Sequence, residues 1–285
     1  MNHKPLFNPK TSQQVESLMK NLPNSVAVIG ERGTGKTYAS RYIASSVLQS
    51  RDMEINSQYS VYDANEIGIE ELRAIQSDLT LKVPGKGEIK RVVVIEHFQL
   101  LGQPAQNALL KTLEEPPVDT MIILTIDNER EVLTTILSRV QQVRVLPVDL
   151  KSAENYFTKC ATEEIKKAYV ISDGAVGLMS GLLSNNHSHE TSVSIEKAKQ
   201  ILSQPKYKRL ASIDVLLKET ALTPEQLIDG IIRVLKALQV AKMSDESIVT
   251  VSAINQKLDN SLAALHDLQN GVSAKLVLTR LFLSV

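Results

Sequence analysis

The chain has 285 residues, 43% of them hydrophobic, which excludes a disordered polypeptide and allows two or three domains with a sizeable core. Lys plus Arg number 32 and Asp plus Glu 32, so no global charge recruits nucleic acid or a membrane, and any such contact has to come from a local patch or from partner subunits. One cysteine, Cys160, excludes a disulfide framework and a four-cysteine zinc site. The first 20 residues lack the apolar stretch of a signal peptide and no run approaches transmembrane length. The expectation is a cytoplasmic protein with no membrane association.

In chain order, short apolar runs at residues 26–29, 59–62, 92–95, 121–126 and 143–146 predict strands. Helical spacing predicts helices over 36–49, 69–81, 103–113 and 130–137 between them. Alternation of this kind is the pattern of βαβ units around a parallel sheet. Pro116 and Pro117 end the third helix, because proline cannot continue the hydrogen-bond ladder. The glycine-containing loop that follows residue 81 is basic. After Pro147 the β-branched runs stop. Residues 152–158, 162–171 and 175–183 predict a small bundle of short helices, and the polar stretch 185–189 a linker. From residue 194 onward only helical spacing remains. Leu227, Ile228, Ile231, Ile232, Leu235 and Leu238 make one apolar face, and Leu258, Leu262 and Leu265 another.

Chemistry concentrates at residues 30–37. Gly30, Glu31, Arg32, Gly33, Thr34, Gly35, Lys36 and Thr37 fit the phosphate-binding pattern G-x-x-x-x-G-K-[ST] at each fixed position. A β-branched strand precedes the pattern and a helix start follows it. Glycines let backbone N–H groups close around an anion, and the helix N-terminus adds favourable partial charge. Lys36 then reaches the β- and γ-phosphates, and the Thr37 hydroxyl ligates Mg²⁺. The alternative is a glycine turn with no ligand. His187, His189 and Cys160 match no common metal spacing. Lys82, Lys86, Lys90 and Lys111 are candidates for phosphate contact with DNA, or ordinary surface lysines.

Three further stretches carry a resemblance: Arg91-Val-Val-Val-Ile-Glu-His-Phe98, the helix Gln106-Asn-Ala-Leu-Leu-Lys-Thr-Leu-Glu-Glu-Pro-Pro117, and Ile122-Ile-Leu-Thr-Ile-Asp-Asn128 followed by Thr135-Ile-Leu-Ser-Arg139. With the phosphate loop, this series resembles the clamp-loader branch of the AAA+ ATPases, nearest in pattern to the delta-prime or gamma/tau subunits of bacterial DNA polymerase III. The resemblance covers roughly residues 25–185. It implies an α/β fold in which a five-stranded parallel P-loop NTPase core (1–147) is followed by a three-helix lid (148–186) and an all-α collar (190–285). It also implies ATP and Mg²⁺ as cofactors, with Glu96 as the carboxylate of the second NTPase motif and metal contact alongside Thr37. Asn128 falls on the sensor that polls the γ-phosphate. Arg139 falls on the family's trans arginine finger, although alone it reads as an exposed helix-end cation. The implied partners are other clamp-loader subunits, joined through residues 190–285, the sliding clamp, and primer-template DNA reached through the complex.

Departures from the family pattern shape the functional expectation. Glu96-His97 replaces the usual Asp-Glu pair, so a histidine stands where the resemblance places the base, and loss of a positioned base costs about 10²–10⁴ in rate. Gly177 stands where motor subunits carry a second sensor arginine. Val140 replaces the cysteine after Ser138-Arg139, and residues 50–57 leave no room for a zinc module. The expectation is a delta-prime-like subunit that binds ATP, hydrolyses it poorly and donates Arg139 to a neighbour. The alternative is an active gamma/tau-type motor.

Overall fold

The computed structural model describes residues 5–50, 52–53, 56–81, 88–184, 190–218, 222–243 and 248–285. Lys82, Lys86, His187, His189 and the linker 185–189 lie outside the described residues. The chain divides into two compact units, Met1–Asp149 and Leu150–Val285.

In the first unit α1 (Pro9–Lys20) leads into β1 (Ser25–Ile29), α2 (Lys36–Val47), β2 (Tyr59–Asp63), α3 (Ile69–Leu79), β3 (Arg91–Glu96), α4 (Gln103–Glu114), β4 (Thr120–Ile126), α5 (Thr134–Leu137) and β5 (Gln141–Arg144). The strands form one five-stranded parallel sheet in the order β2-β3-β4-β1-β5. The architecture is the α/β one expected. β1 and β4 are buried along their whole length, whereas edge strand β2 is only partly covered. Their near-continuous apolar sequences follow, since a parallel sheet has helices on both faces. Val26, Val28, Val92, Val94, Met121 and Ile123 pack on one face with residues of α1 and α2. Ala27, Ile29, Val93, Ile95, Ile122 and Leu124 pack on the other with α3, α4 and α5.

Three local features differ from the sequence expectation. α1 has no counterpart in it. Asn8 caps this helix through a bond accepted from the Lys10 amide, with Pro9 at its start. The fifth strand begins and ends two residues earlier than its apolar run, because its partner β1 stops at Ile29, opposite Arg144. The segment 130–137 is not one helix. A short 3₁₀ turn, Glu129–Glu131, precedes an extended Val132 and Leu133, and only then does α5 begin. Buried Gln106 maintains that break: its side chain donates to the Leu101 and Glu131 carbonyls at 2.8 and 3.0 Å and accepts from the Leu133 amide at 3.0 Å.

The second unit is helical: α6 (Leu150–Tyr156), α7 (Thr162–Ser172), α8 (Val176–Leu183), α9 (Glu190–Leu202), α10 (Lys206–Leu216), α11 (Pro224–Met243), α12 (Ile248–Gln269) and α13 (Ala274–Ser284). Helices expected as lid and helices expected as collar share one core. Ala175 and Leu178 belong to the same buried cluster as Ile195, Ile228, Ile231 and Leu278. An ion pair from Lys236 to Asp173, 3.0 Å, also joins α11 to the end of α7. The long apolar face of α11 is largely consumed here, with Leu227, Ile228, Ile231, Ile232 and Leu235 buried; Leu238, and Leu262 on α12, are exposed. Those faces are therefore mainly internal packing within the second unit. Among the described residues no helix is long and apolar enough to cross a membrane.

α11 approaches α9 closely at Gly230. A Cβ there would lie 2.5 Å from the Ser194 carbonyl oxygen and 2.7 Å from its carbon, both backbone atoms. Gly230→Ala is expected to destabilise by about 1–3 kcal/mol, the overpacking outweighing the better helix propensity of alanine. Urea unfolding of the second unit reads this directly; a midpoint at or above that of the unmutated chain would mean that the two helices part without penalty.

Candidate nucleotide site

Because the strands are parallel, their carboxyl ends share one edge of the sheet, where ligands of open α/β sheets bind. The register sets Ile29 opposite Ile126, Ile95 opposite Leu124 and Asp63 opposite Glu96. That edge therefore gathers the loop after β1, Asp63 at the end of β2, Glu96 and His97 at the end of β3, and Asp127 after β4.

The loop has a phosphate-cradling shape. Gly35 sits in the left-handed region at φ 97° as the cap of α2. At Gly30 a Cβ would fall 2.5 Å from the Val145 carbonyl oxygen, so only glycine fits between β1 and the residue after β5. The first intrahelical bond of α2 runs from the Ala39 amide to the Gly35 carbonyl, 2.9 Å. The amides of Lys36, Thr37 and Tyr38 come before it, with no partner in the helix ladder, as an anion site requires. Thr34 is buried and its hydroxyl donates to the Glu31 carbonyl at 2.8 Å, closing the turn. Glu31, Arg32 and Thr37 are exposed, Thr37 on the first turn of α2.

Lys36 is 8% exposed. Its Nζ donates to the Glu31 carbonyl at 2.9 Å and lies 2.6 Å from Asp127 Oδ1. Arg32 Nε approaches Asp127 Oδ2 at 3.3 Å. Burial lowers the Lys36 pKa from its ordinary value, and the Asp127 charge and hydrogen bond only partly restore it. Burial alone would raise the Asp127 carboxyl, but Lys36, then Arg32 and His97, hold it below the usual carboxylate value.

After β3, Glu96 is half-buried and its charge acts on Lys36. His97 takes a left-handed backbone, φ 53°, seldom adopted by non-glycine residues, and its amide donates to Thr125 Oγ1 at 3.1 Å. Its Nδ1 lies 3.2 Å from Asp63 Oδ1. Burial opposes ionisation of Asp63, yet the Asn65 amide and His97 bring its pKa below the ordinary value.

Two expected residues bond to groups outside this cluster. Asn128 is exposed; its side chain accepts from the Arg130 amide at 3.1 Å and donates to Glu131 at 2.8 Å, capping the 3₁₀ turn. Arg139 follows α5, its Nε 2.6 Å from Glu114 Oε1 and its Nη1 donating to the Thr135 carbonyl at 2.9 Å. The residue that meets Lys36 from the end of β4 is Asp127, which sequence reasoning passed over. Its signal was present, since it is the first polar residue after the apolar run of β4 and one place before Asn128. Gln99 was missed as well. This buried side chain accepts from the Asp127 amide at 3.1 Å and so fixes where the carboxylate starts.

The profile of the family described as "DNA polymerase III, delta subunit" matches residues 49–149. The delta' subunit of DNA polymerase III from Haemophilus influenzae is 28% identical over 141 residues, 49% of this chain and 41% of that protein. The gamma subunit from Buchnera aphidicola is 27% identical over 150 residues, 47% of this chain and 40% of its own length. Over these stretches the chain resembles the clamp-loader subunits of DNA polymerase III. A third relative, the tau subunit from Bacillus subtilis, is 32% identical over 142 residues, 44% of this chain and 25% of that protein. The aligned stretches thus span well under half of these relatives' own lengths. Among solved structures, a gamma subunit-related protein from Thermotoga maritima shares the fold, with a TM-score of 0.54 at 18% identity over 96% of this chain and 97% of that one. The family profile covers Glu96, Asp127 and Arg139 and starts beyond residues 30–37.

Proposed function

We propose that this chain is a delta-prime-like subunit of a bacterial DNA polymerase III clamp loader, acting in DNA replication in the cytoplasm. In this reading residues 30–37 bind ATP, whose transferable phosphoryl group is the chemistry the cofactor supplies. The loop amides and Lys36 would hold its phosphates, and Thr37 and Glu96 would hold Mg²⁺. The buried lysine, the glycine-only passage at Gly30 and the unladdered amides of α2 support the fit. The second unit contributes a lid, residues 148–186, and a collar, residues 190–285, that meets the other subunits. The sliding clamp and primer-template DNA are partners of the whole assembly, and the half-buried Lys90 and exposed Lys111 are candidate phosphate contacts.

One observation carries the choice of an assembly subunit over a motor. The position after Glu96 is His97, already engaged with Asp63 at 3.2 Å, so the strand end presents an occupied imidazole in place of a carboxylate base. Gly177, the second residue of α8, supplies no cation. The intact loop around Lys36 favours the other reading, a gamma/tau-type motor. Nucleotide turnover, measured with the chain alone and then with the remaining loader subunits, separates them. The expected result is entry into the hetero-oligomer with turnover alone lower by about 10²–10⁴ than an active loader subunit, and a gain when His97→Glu restores a carboxylate. Turnover by the isolated chain at the rate of an active subunit would establish the motor reading.

A further inference from the structure

The candidate site contains an anion of its own. Asp127 is 11% exposed at its side chain and takes both cations of the loop, Lys36 at 2.6 Å and Arg32 at 3.3 Å. Its carboxylate is not carried on a loose loop. It follows directly from β4, the neighbour of β1 in the sheet, and Gln99 fixes its amide at 3.1 Å. With the Glu31 carbonyl at 2.9 Å, two of the three ammonium donors of Lys36 are engaged within the protein. Glu96 adds further negative charge near Lys36, and His97 is turned to Asp63.

We propose that Asp127 sets the nucleotide preference of this site, making it one that holds a nucleoside diphosphate more tightly than the triphosphate. The inference rests on the nucleotide-binding reading above and narrows it. In a loop of this pattern the backbone amides serve the inner phosphates, and the lysine serves the β- and γ-phosphates. A diphosphate can rely mainly on the amides of residues 30–37. The third phosphate depends most on the cation that Asp127 already holds, and it brings further negative charge toward an ionised carboxylate. Like charges a few ångströms apart at the effective dielectric of a protein site repel strongly enough to weaken binding by about tenfold or more. Loss of the carboxylate charge should therefore act on the triphosphate and leave the diphosphate little changed.

The test is equilibrium titration of the full chain with fluorescent ADP and ATP analogues at one fixed free Mg²⁺ concentration, repeated with Asp127→Asn. The unmutated chain should bind the ADP analogue at least about tenfold more tightly, and Asp127→Asn should close that gap by tightening ATP. The first measurement needs no variant, so a misfolded Asp127→Asn chain does not protect the inference. Equal or tighter binding of ATP by the unmutated chain overturns it. So does an unchanged ATP-to-ADP ratio in Asp127→Asn, or a selective loss of ATP, which would mean that Asp127 helps through the metal. In those outcomes nucleotide binding itself stands. Failure of both chains to bind either nucleotide overturns the nucleotide-binding reading, and the inference with it.

Discussion

Arg139→Ala is expected to lower DNA- and clamp-stimulated ATP hydrolysis by the assembled loader by about 10³-fold or more, while this chain's own nucleotide affinity stays nearly unchanged. The geometry makes both halves of that result reasonable. Arg139 is exposed after α5 and its partners, Glu114, Thr135 and Ser138, are not those of Lys36, so its removal leaves the contacts of residues 30–37 intact. Its guanidinium is held at 2.6 Å by Glu114, itself 47% exposed, at the end of α4. An ion pair this exposed contributes only about 0–1 kcal/mol, so Arg139 can leave Glu114 for a phosphate of a neighbouring subunit at little cost. Folding stability of Arg139→Ala should fall within that same small range, and its entry into the hetero-oligomer should be unaffected. Arg139→Lys should rescue poorly, because a point charge does not reproduce a planar fork of donors. Glu114→Ala serves as the control: it frees the guanidinium without removing it, and hydrolysis should be retained. If the complex carrying Arg139→Ala hydrolyses ATP and loads clamps normally, Arg139 is a surface cation paired with Glu114 and nothing more.

What could be read from the sequence divides along the range of the forces involved. The turn before α2 was legible because its shape is local: the glycines, Lys36 and the start of α2 fall within residues 30–37. The strands were legible because burial on both sheet faces demands continuous β-branched runs such as β1 and β4. α1 escaped because only Thr11, Val15 and Leu18 are buried in an otherwise polar segment. Distant bonds hold it in place, from Thr11 to the Arg144 carbonyl at 2.7 Å and from Asn8 to the Pro147 carbonyl at 2.7 Å. The break before α5 depends on Gln106, a residue of another helix. The pairing of Asp127 with Lys36 depends on two strands being neighbours, a fact of sheet order that no spacing in the chain encodes. The shared core of the second unit was equally hidden, since helical periodicity shows that a face is apolar without showing what will cover it.

Lys36→Ala is expected to weaken retention of both ADP and ATP by about a hundredfold or more, since it removes the buried cation and leaves a carboxylate facing the phosphates. The second effect also gives the variant a signature in stability. In the unmutated chain the Asp127 pKa lies below its ordinary value, so the carboxylate contributes stability above the ordinary carboxylate range, and that contribution is lost as pH falls through the folded value. Without Lys36, burial is opposed mainly by Arg32, which is 46% exposed, and the Asp127 pKa moves upward. The resulting deficit, about 1–3 kcal/mol at neutral pH, should shrink as acidification protonates Asp127. Urea unfolding at neutral and at mildly acidic pH reads both the size and the sign. The double variant Lys36→Ala with Asp127→Asn separates the two roles. It should recover most of the stability, because no buried charge is then left unpaired, yet it should not regain tight nucleotide binding, because the cation is still missing. A double variant as unstable as Lys36→Ala would trace the deficit to lost packing of the lysine stem rather than to the orphaned carboxylate. Normal nucleotide retention by Lys36→Ala would remove residues 30–37 from the binding site altogether.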